Sequence, residues 1–554
     1  MKKALLSLLT LFFLSFTIAQ NNPLINTPNL SPDGQKMAFN YQGDIWTVSI
    51  NGQNLKRLTI HEAYDANPKW SADGKSIAFQ SDRFGNNDVF TIDANGGIPN
   101  RITFHSASDV VTDFTSEGTI LFATSRNYVQ LEREPEIHSV NANGGTPFRL
   151  LNAVGFDATM SPNKKMIAFT RGSCRIEREA YQGPANRDVW IYNIAAKTFH
   201  ELTNFQGQDL APQWANDSTI YFQSARSGIY NVHKLNIDEN GNKVGAIEQI
   251  SSLKDLGLFS FDLSLNGKDI VMVSGDKTWL LNAETKDATP INIIINSDYR
   301  FDPSERKTFS GNASEVEVSP NGKYSAIVIR GEIFITENDT KKSKTVNVSN
   351  SPNRDIDISW LNDATLLFVS DRDGLNNIYA VSSNDENNDN IFTSLKHKVT
   401  KLTNSKAGIS APRIAPNKKS IAFTEGNGKL MIASISENGK ISNAKTLVDS
   451  WDTPSGVAWS PDSKWVSYSL SDLYFNEEVY IHKADNSKKP VNISMHPKAD
   501  GGAIWSADGS KIAFSSNRNN GDHDVWFVWL RKKDWEKTRQ DWEETPDEES
   551  KKDE

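Results

Sequence analysis

A turn followed by an alternating strand recurs eleven times along the chain, and this repeat constrains the fold more than any other feature. The pattern is clearest in SADGKSIAFQSDRFGNNDVF, residues 71–90, where Ser-Ala-Asp-Gly precedes a run of alternating apolar residues. The other copies begin at Ser31, Thr115, Ser161, Ala215, Ser264, Ser319, Leu361, Ala415, Ser460 and Ser506. A period of about 40 to 55 residues with several short strands per unit is the signature of β-propeller blades.

Each unit can be divided into four strands. In the second unit these are residues 66–70, 76–81, 88–93 and the segment NRITF, and the tryptophans that end such inner strands are interpreted as packing residues. Gly74 closes the first turn, because glycine accepts the positive φ that a tight hairpin needs. A four-stranded blade buries both faces only by stacking on its neighbours. We therefore predict an all-β chain of about eleven four-stranded blades with Asp-Gly turns.

Eleven blades exceed the four to eight of one ring, so the pattern predicts two consecutive propellers. The blade pattern is interrupted between residues 292 and 313, which places a six-bladed ring at 20–296 and a second ring at 297–530. Five blades are visible in the second ring, which is either complete or part of a larger ring. Residues 531–554 form a highly charged tail, predicted to be helical or disordered.

The first nineteen residues have the features of a secretory signal. Lys2 and Lys3 precede the uncharged stretch ALLSLLTLFFLSF, and Thr17-Ile18-Ala19 supplies small residues for cleavage near Ala19–Gln20. Thirteen apolar residues are shorter than a membrane-spanning helix needs. We expect a periplasmic or secreted mature chain that has no membrane span after cleavage.

Composition excludes several classes of function. The net charge of -9 argues against a nucleic-acid-binding surface. Cys174 is the only cysteine, which rules out an internal disulfide and a multi-cysteine metal site. The nine histidines are scattered singly, and no Gly-x-Ser-x-Gly or glycine-rich phosphate loop occurs. We expect no catalytic, cofactor-binding or metal-binding residues in this chain.

Long loops in the third and fourth units are the best candidates for function. The fourth, RGSCRIEREAYQGPANRDVWIYN (residues 171–193), is the longer, and such loops on a rigid scaffold often carry binding residues. A tolerated insertion is the alternative. The predicted contact residues are Arg175, Arg178, Tyr181 and Arg187, facing the second ring, a neighbouring subunit or a peptide. Asp188 is predicted to be structural, tying the start of its strand to a neighbouring blade.

The string from Tyr181 to Trp190, aromatic-x-Gly followed by Arg-Asp-x-Trp, resembles the corresponding blade of the tricorn protease family. Three further features are similar to that family: the segment LYFNEEVYIHKAD, the repeated Asp-Gly turn and the succession of two rings. The resemblance covers essentially the whole mature chain. The resemblance implies the tandem propellers of an exported tricorn-like serine protease. The PDZ domain and peptidase core of such proteins have no counterpart among these residues.

The resemblance implies a non-catalytic module that guides or gates peptides or unfolded protein segments toward a peptidase core. The core and PDZ domain would belong to the same or a companion protein, and homo-oligomers stay open. An axial channel lined by arginines and backbone donors would steer peptide termini. One alternative is a protein-binding scaffold like the periplasmic propeller protein TolB. Another is a self-contained propeller enzyme such as a lactonase or glycan lyase.

Overall fold

The chain folds into eleven separate antiparallel sheets that follow one another along the sequence. The computed structural model describes residues 23–127, 134–295, 306–339, 341–342 and 344–543. Each of the first ten sheets consists of four consecutive strands, and the eleventh has three. This confirms the all-β class and the blade repeat. In the last blade the third strand is followed by a short helix, so the prediction of four strands is wrong for the described residues of that blade.

The first six sheets contain the strands β1 Asn26–Leu30, β2 Lys36–Tyr41, β3 Asp44–Ser49, β4 Lys56–Arg57, β5 Asp65–Trp70, β6 Ser76–Ser81, β7 Asp88–Asp93, β8 Asn100–Arg101, β9 Asp109–Phe114, β10 Thr119–Thr124, β11 Glu136–Asn141, β12 Phe148–Val154, β13 Phe156–Met160, β14 Met166–Arg171, β15 Asp188–Asn193, β16 Thr198–Glu201, β17 Asp209–Asn216, β18 Thr219–Ser224, β19 Asn231–Ile237, β20 Lys243–Gln249, β21 Ser260–Leu263, β22 Asp269–Ser274, β23 Lys277–Asn282 and β24 Ala288–Pro290.

The remaining elements are β25 Glu315–Val318, β26 Tyr324–Ile329, β27 Glu332–Glu337, β28 Thr345–Asn347, β29 Asp355–Asn362, β30 Thr365–Ser370, β31 Asn377–Ser383, β32 His397–Lys401, β33 Ile409–Ile414, β34 Ser420–Glu425, β35 Lys429–Ile435, β36 Ile441–Asp449, β37 Ser455–Trp459, β38 Trp465–Ser471, β39 Glu477–Lys483, β40 Val491–Asn492, β41 Asp500–Trp505, β42 Lys511–Asn519, β43 Asp522–Trp529, α1 Lys532–Trp535 and α2 Arg539–Glu543.

The repeated Ser-x-Asp-Gly sequence forms the turn between the first two strands of a blade. In the second blade the Ser71 hydroxyl donates to Asp73 Oδ1 at 2.7 Å and accepts the Ser76 amide at 2.9 Å. Asp73 also accepts the Lys75 amide, and Gly74 has φ +67°. The turn thus satisfies its own backbone donors, which explains why its sequence recurs.

The first six sheets close into a ring. Strand β1 packs on β21, and one core cluster joins Ile25, Leu30 and Phe39 of the first sheet to Val271 and Val273 of the sixth. Because every sheet is made of consecutive strands, side-chain packing closes the ring and no strand is exchanged.

The next five sheets form an arc rather than a closed ring in the part of the chain that the structure describes. Core clusters join neighbouring sheets from the seventh to the eleventh, but none joins the eleventh to the seventh. The two end sheets expose apolar residues, with Val316 61% exposed on β25, and Val525 81% and Phe527 58% exposed on β43.

The two ends of the chain give different outcomes for the sequence predictions. The predicted signal peptide at 1–19 and residues 296–305, at the predicted ring boundary, lie outside the described residues. The first part of the charged tail forms α1 and α2, whereas residues 544–554 are not described. Within the described ranges, no helix is long and apolar enough to cross a membrane.

Candidate functional site

The long loop of the fourth blade, residues 172–187 between β14 and β15, packs against the second group of sheets. Tyr181 is fully buried there, with its ring centroid 4.9 Å from that of Trp451 and 5.4 Å from that of Phe475. Its hydroxyl donates to the Leu473 carbonyl at 2.9 Å and accepts the Ala185 amide at 3.1 Å. The side chain therefore joins the two groups of sheets.

Arg178 contributes to the same joint. Its guanidinium lies 4.6 Å from the ring centroid of Phe475 and 5.3 Å from that of Trp451, and its Nε is 3.8 Å from Asp452 Oδ1. Cation–π contacts of this kind stabilise more strongly when they are shielded from water. Of the contact targets considered from the sequence, the second ring is the one that Arg178 and Tyr181 touch here.

The other two predicted contact residues have different surroundings. Arg187 is half-buried beneath the loop, where its Nε donates to the Cys174 carbonyl at 2.7 Å and its guanidinium lies 4.5 Å from the Phe156 ring centroid. The Arg175 side chain is exposed. The backbone carbonyl of Arg175 accepts a hydrogen bond from the side-chain amide of Gln208. The loop is thus packed at its ends, through Cys174 and Arg187, and at its centre, through Arg178 and Tyr181. Exposed charges such as Arg175 lie between these packed regions.

Burial perturbs several titratable groups in and beside this loop, including Cys174 and Asp188. Burial raises the pKa of the Cys174 thiol, which keeps it protonated and unreactive. Burial also raises the pKa of Asp188 to about 6. The Asp188 carboxylate accepts hydrogen bonds from Asn186, the Thr203 hydroxyl and the Phe205 amide. Asp188 is structural, but it ties its strand to the linker that leads into the next blade rather than to a neighbouring blade itself.

A belt of six polar side chains surrounds the axis of the first ring. Each inner strand contributes the residue before its last apolar position, and the six residues are Asn29, Lys69, Asp113, Thr159, Gln213 and Asp262. Several of them bind the next blade: Asn29 accepts the Trp70 amide, Asp113 the Met160 amide and Gln213 the Leu263 amide, at 2.7 to 2.9 Å. Asp262 accepts the Leu30 amide and the Asn29 side chain, which completes the closure from sixth to first blade.

The belt separates two axial cavities of about 380 and 160 Å³, and Lys69, Thr159 and Gln213 line both. Lys69 Nζ lies 3.9 Å from Asp262 Oδ1. Burial raises the pKa of Asp113, and it raises that of Asp262 to about 6. The prediction of an axial channel lined by arginines is wrong for this ring, because the described lining contains lysine but no arginine.

Sequence reasoning did not identify the belt, although one signal for it is present. Trp70 is the last residue of its inner strand and Trp214 lies two residues before the end of its own, and the polar residue directly before each of them lies on the axis. Because side chains alternate along a strand, that residue points to the face opposite the tryptophan. In the other four blades the corresponding inner-strand residue is Leu, Phe or Met, so the sequence does not show that the six positions are equivalent. Among the described residues there is no group of three or more His, Cys, Asp or Glu placed to hold a metal ion.

Comparison with known proteins places this geometry in a family. Residues 22–287 match the family described as Tricorn protease N-terminal beta propeller domain. A tricorn protease homolog of Saccharolobus solfataricus is 21% identical over 502 residues, which are 88% of this chain but 43% of that protein. The chain thus spans less than half the length of this relative.

Solved structures show similarity at a lower level. The crystal structure of the tricorn protease covers 92% of this chain at 15% identity with a TM-score of 0.47, and half of that protein is covered. TolB from Acinetobacter baumannii covers 49% of this chain, and 63% of TolB is covered, at 19% identity with a TM-score of 0.36. Residues 22–287, which include the first ring, match the tricorn protease N-terminal β-propeller family, and 88% of the chain aligns with a tricorn protease homolog.

Proposed function

We propose that this chain is the non-catalytic propeller module of a tricorn-like exported serine protease. It guides or gates peptides and unfolded protein segments toward a peptidase core and PDZ domain of the same or a companion protein. The observation that carries the proposal is the polar belt across the axis of a ring of this family, with a cavity on each side. Side chains at that point contact any segment that enters along the axis.

The charges of the belt suggest how it selects. Lys69 is its only cation, and Asp113 and Asp262 are its acids. Field lines focus in a narrow cleft, so one charge there affects binding more than one on the open surface. Replacing Lys69 by Gln makes the belt more acidic without removing the packing of the side-chain stem.

The test measures binding of fluorescent peptides of about ten residues by anisotropy, with acidic and basic members. We expect Lys69→Gln to shift the ratio of acidic to basic peptide affinities toward basic peptides by about threefold or more. Lys165→Gln, at an exposed turn of the fourth blade, is the matched control and should leave the ratio unchanged. We also expect no hydrolysis of these peptides by the chain alone.

Two results would overturn the proposal. Equal effects of the two lysine substitutions would remove the belt from peptide selection. Failure of every peptide to bind the unmodified chain would favour the alternative of a scaffold for folded proteins, like TolB.

A further inference from the structure

A cavity of about 530 Å³ lies between the ninth and tenth sheets, and none of the belt residues of the first ring lines it. Strand β36, strands β38 and β39, and the turn at 486–490 form its walls. Its volume falls within the range of small-molecule sites. Its apolar lining residues are Leu447, Val448, Leu470 and Pro490. Its polar lining includes Tyr468, Tyr480, His482, Lys488 and Lys489.

Tyr468 departs from the repeat at a core position. The register of the second and third strands aligns it with Phe in eight other sheets: Phe39, Phe79, Phe122, Phe169, Phe222, Phe368, Phe423 and Phe514. The Tyr468 side chain is buried, with 1% exposure, and it lines the cavity. Its hydroxyl forms no hydrogen bond with any residue that the structure describes. Because Tyr468 lines the cavity, this hydroxyl is available to bond a molecule that enters it.

His482 is a second polar residue at a position where other blades are apolar. It pairs with Val466, and the matching positions in the first three blades are Val48, Ile92 and Val140. Its Nε2 shares a hydrogen bond of 3.0 Å with Asn486 Oδ1, at the turn that carries the two lysines. Burial lowers the pKa of His482, so the ring is neutral near pH 7. His482 thus acts as a positioning residue for that turn.

The charges at the rim favour an anion. Lys488 and Lys489 are exposed and form no ion pair within the described chain, while Asp449 is the one acidic residue of the lining. Ammonium groups and a phenol hydroxyl donate strong hydrogen bonds to a carboxylate. The apolar residues of the lining suit a hydrocarbon body.

We infer that this cavity binds a small carboxylate with an apolar body, held by the Tyr468 hydroxyl and by the ammonium groups of Lys488 and Lys489. This site is independent of the proposed peptide function, because it uses none of the belt residues. The ninth and tenth blades would carry it whether or not peptides enter the first ring.

The test titrates the whole chain with phenylacetate and with its neutral amide, phenylacetamide, by ligand-observed NMR. We expect phenylacetate to bind at least about tenfold more tightly than the amide, which matches the loss of one charge-assisted hydrogen bond. Tyr468→Phe should weaken phenylacetate about tenfold and leave the fold intact, because eight blades already have Phe there. The double variant Lys488→Gln, Lys489→Gln should weaken it similarly, and Lys464→Gln, at an exposed turn outside the cavity, should have no effect.

Three outcomes would overturn the inference. The first is no binding of phenylacetate, cyclohexanecarboxylate or N-acetylphenylalanine up to about 10 mM, a concentration at which even weak sites fill. The second is equal affinity for the acid and its amide. The third is carboxylate binding that Tyr468→Phe and the lysine double variant leave unchanged, since that would place the ligand elsewhere.

Discussion

At the scale of single residues, buried ion pairs join the first two strands of five blades. An aspartate at the start of the inner strand pairs with an arginine near or just after the end of the second strand in five blades, with N–O distances of 2.5 to 2.9 Å: Asp65–Arg83, Asp109–Arg126, Asp209–Arg226, Asp355–Arg372 and Asp500–Arg518. Each aspartate is fully buried, so removing its arginine would leave an uncompensated charge. Glu317 forms no ion pair with any residue that the structure describes, although it links the seventh sheet to the eighth by accepting the Trp360 amide at 3.1 Å.

This difference predicts a pH dependence for Glu317. Burial raises its pKa to about 7. A carboxyl whose folded-state pKa lies above the unfolded value of 4.5 favours the folded protein at low pH, and that contribution is lost as pH rises from about 4.5 to 7. Glu317→Gln keeps an acceptor for the Trp360 amide but does not ionise. We expect the free energy of unfolding of the variant, relative to that of the unmodified chain, to increase by up to about 2 kcal/mol between pH 4 and pH 8.

Urea unfolding of both proteins at these two pH values measures the effect. Glu437→Gln, at an exposed turn of the ninth blade, is the control. Parallel stability profiles for Glu317→Gln and the unmodified chain would show that Glu317 does not titrate in this window.

At the scale of elements, the same hairpin serves as a plain turn in most blades and as a joint in the fourth. Between the second and third strands the second blade has six residues, Asp82 to Asn87, whereas the fourth blade has sixteen, Gly172 to Arg187. The long loop begins at Gly172, with φ +135°, where an added Cβ would lie 2.1 Å from the Asn186 carbonyl oxygen. Backbone on both sides of the loop base therefore meets at a point that admits only glycine.

We predict that Gly172→Ala lowers the free energy of unfolding by about 2–4 kcal/mol, because it adds a clash with backbone to an unfavourable φ. Gly85→Ala is the matched control in the second blade. Gly85 also has a positive φ, +99°, but nothing lies within 4 Å of its Cβ position, so a cost of about 1 kcal/mol is expected. Chemical denaturation compares the two, and equal losses would contradict the role of the loop base.

At the scale of the whole molecule, one closed ring is joined to an arc of five sheets. The joint rests on Tyr181 and Arg178 against Trp451, Leu473 and Phe475. A longer-range ion pair between Lys406 and Asp255, at 3.8 Å, connects exposed side chains and contributes little. The aromatic contacts therefore carry most of the coupling between the two parts.

We predict that the two parts unfold as separable units and that Tyr181 couples them. Scanning calorimetry of Tyr181→Ala should separate the transitions further than in the unmodified chain, because a buried aromatic side chain removed from an interface costs about 3–5 kcal/mol. Tyr181→Phe keeps the ring but loses the hydrogen bonds that the hydroxyl makes with the Leu473 carbonyl and the Ala185 amide, and should cost about 1–2 kcal/mol. A single transition in all three proteins, or protease cuts spread evenly with no protected fragment near residues 292–313, would contradict this division.

The sequence by itself determined the blade, because the features of a blade are local. The Ser-x-Asp-Gly turn bonds to its own backbone, and the period of two marks the strands, so the repeat predicted β5 to β7 to within one residue. The inner-strand tryptophans Trp70, Trp214, Trp360 and Trp459 are buried, which confirms their interpretation as packing residues. Trp505, the fifth of them, is partly buried and packs against the core between the tenth and eleventh sheets.

Only the tertiary structure decided which residues of different blades come into contact. The axial belt combines residues from six blades, such as Asn29 and Asp262, which are 233 positions apart and joined by a 2.9 Å hydrogen bond. Tyr181 meets Leu473 across 292 positions, and this contact makes a loop rich in charged residues part of a buried joint. Such contacts depend on the angle at which each blade stacks on the next, and no local pattern of residues encodes that angle.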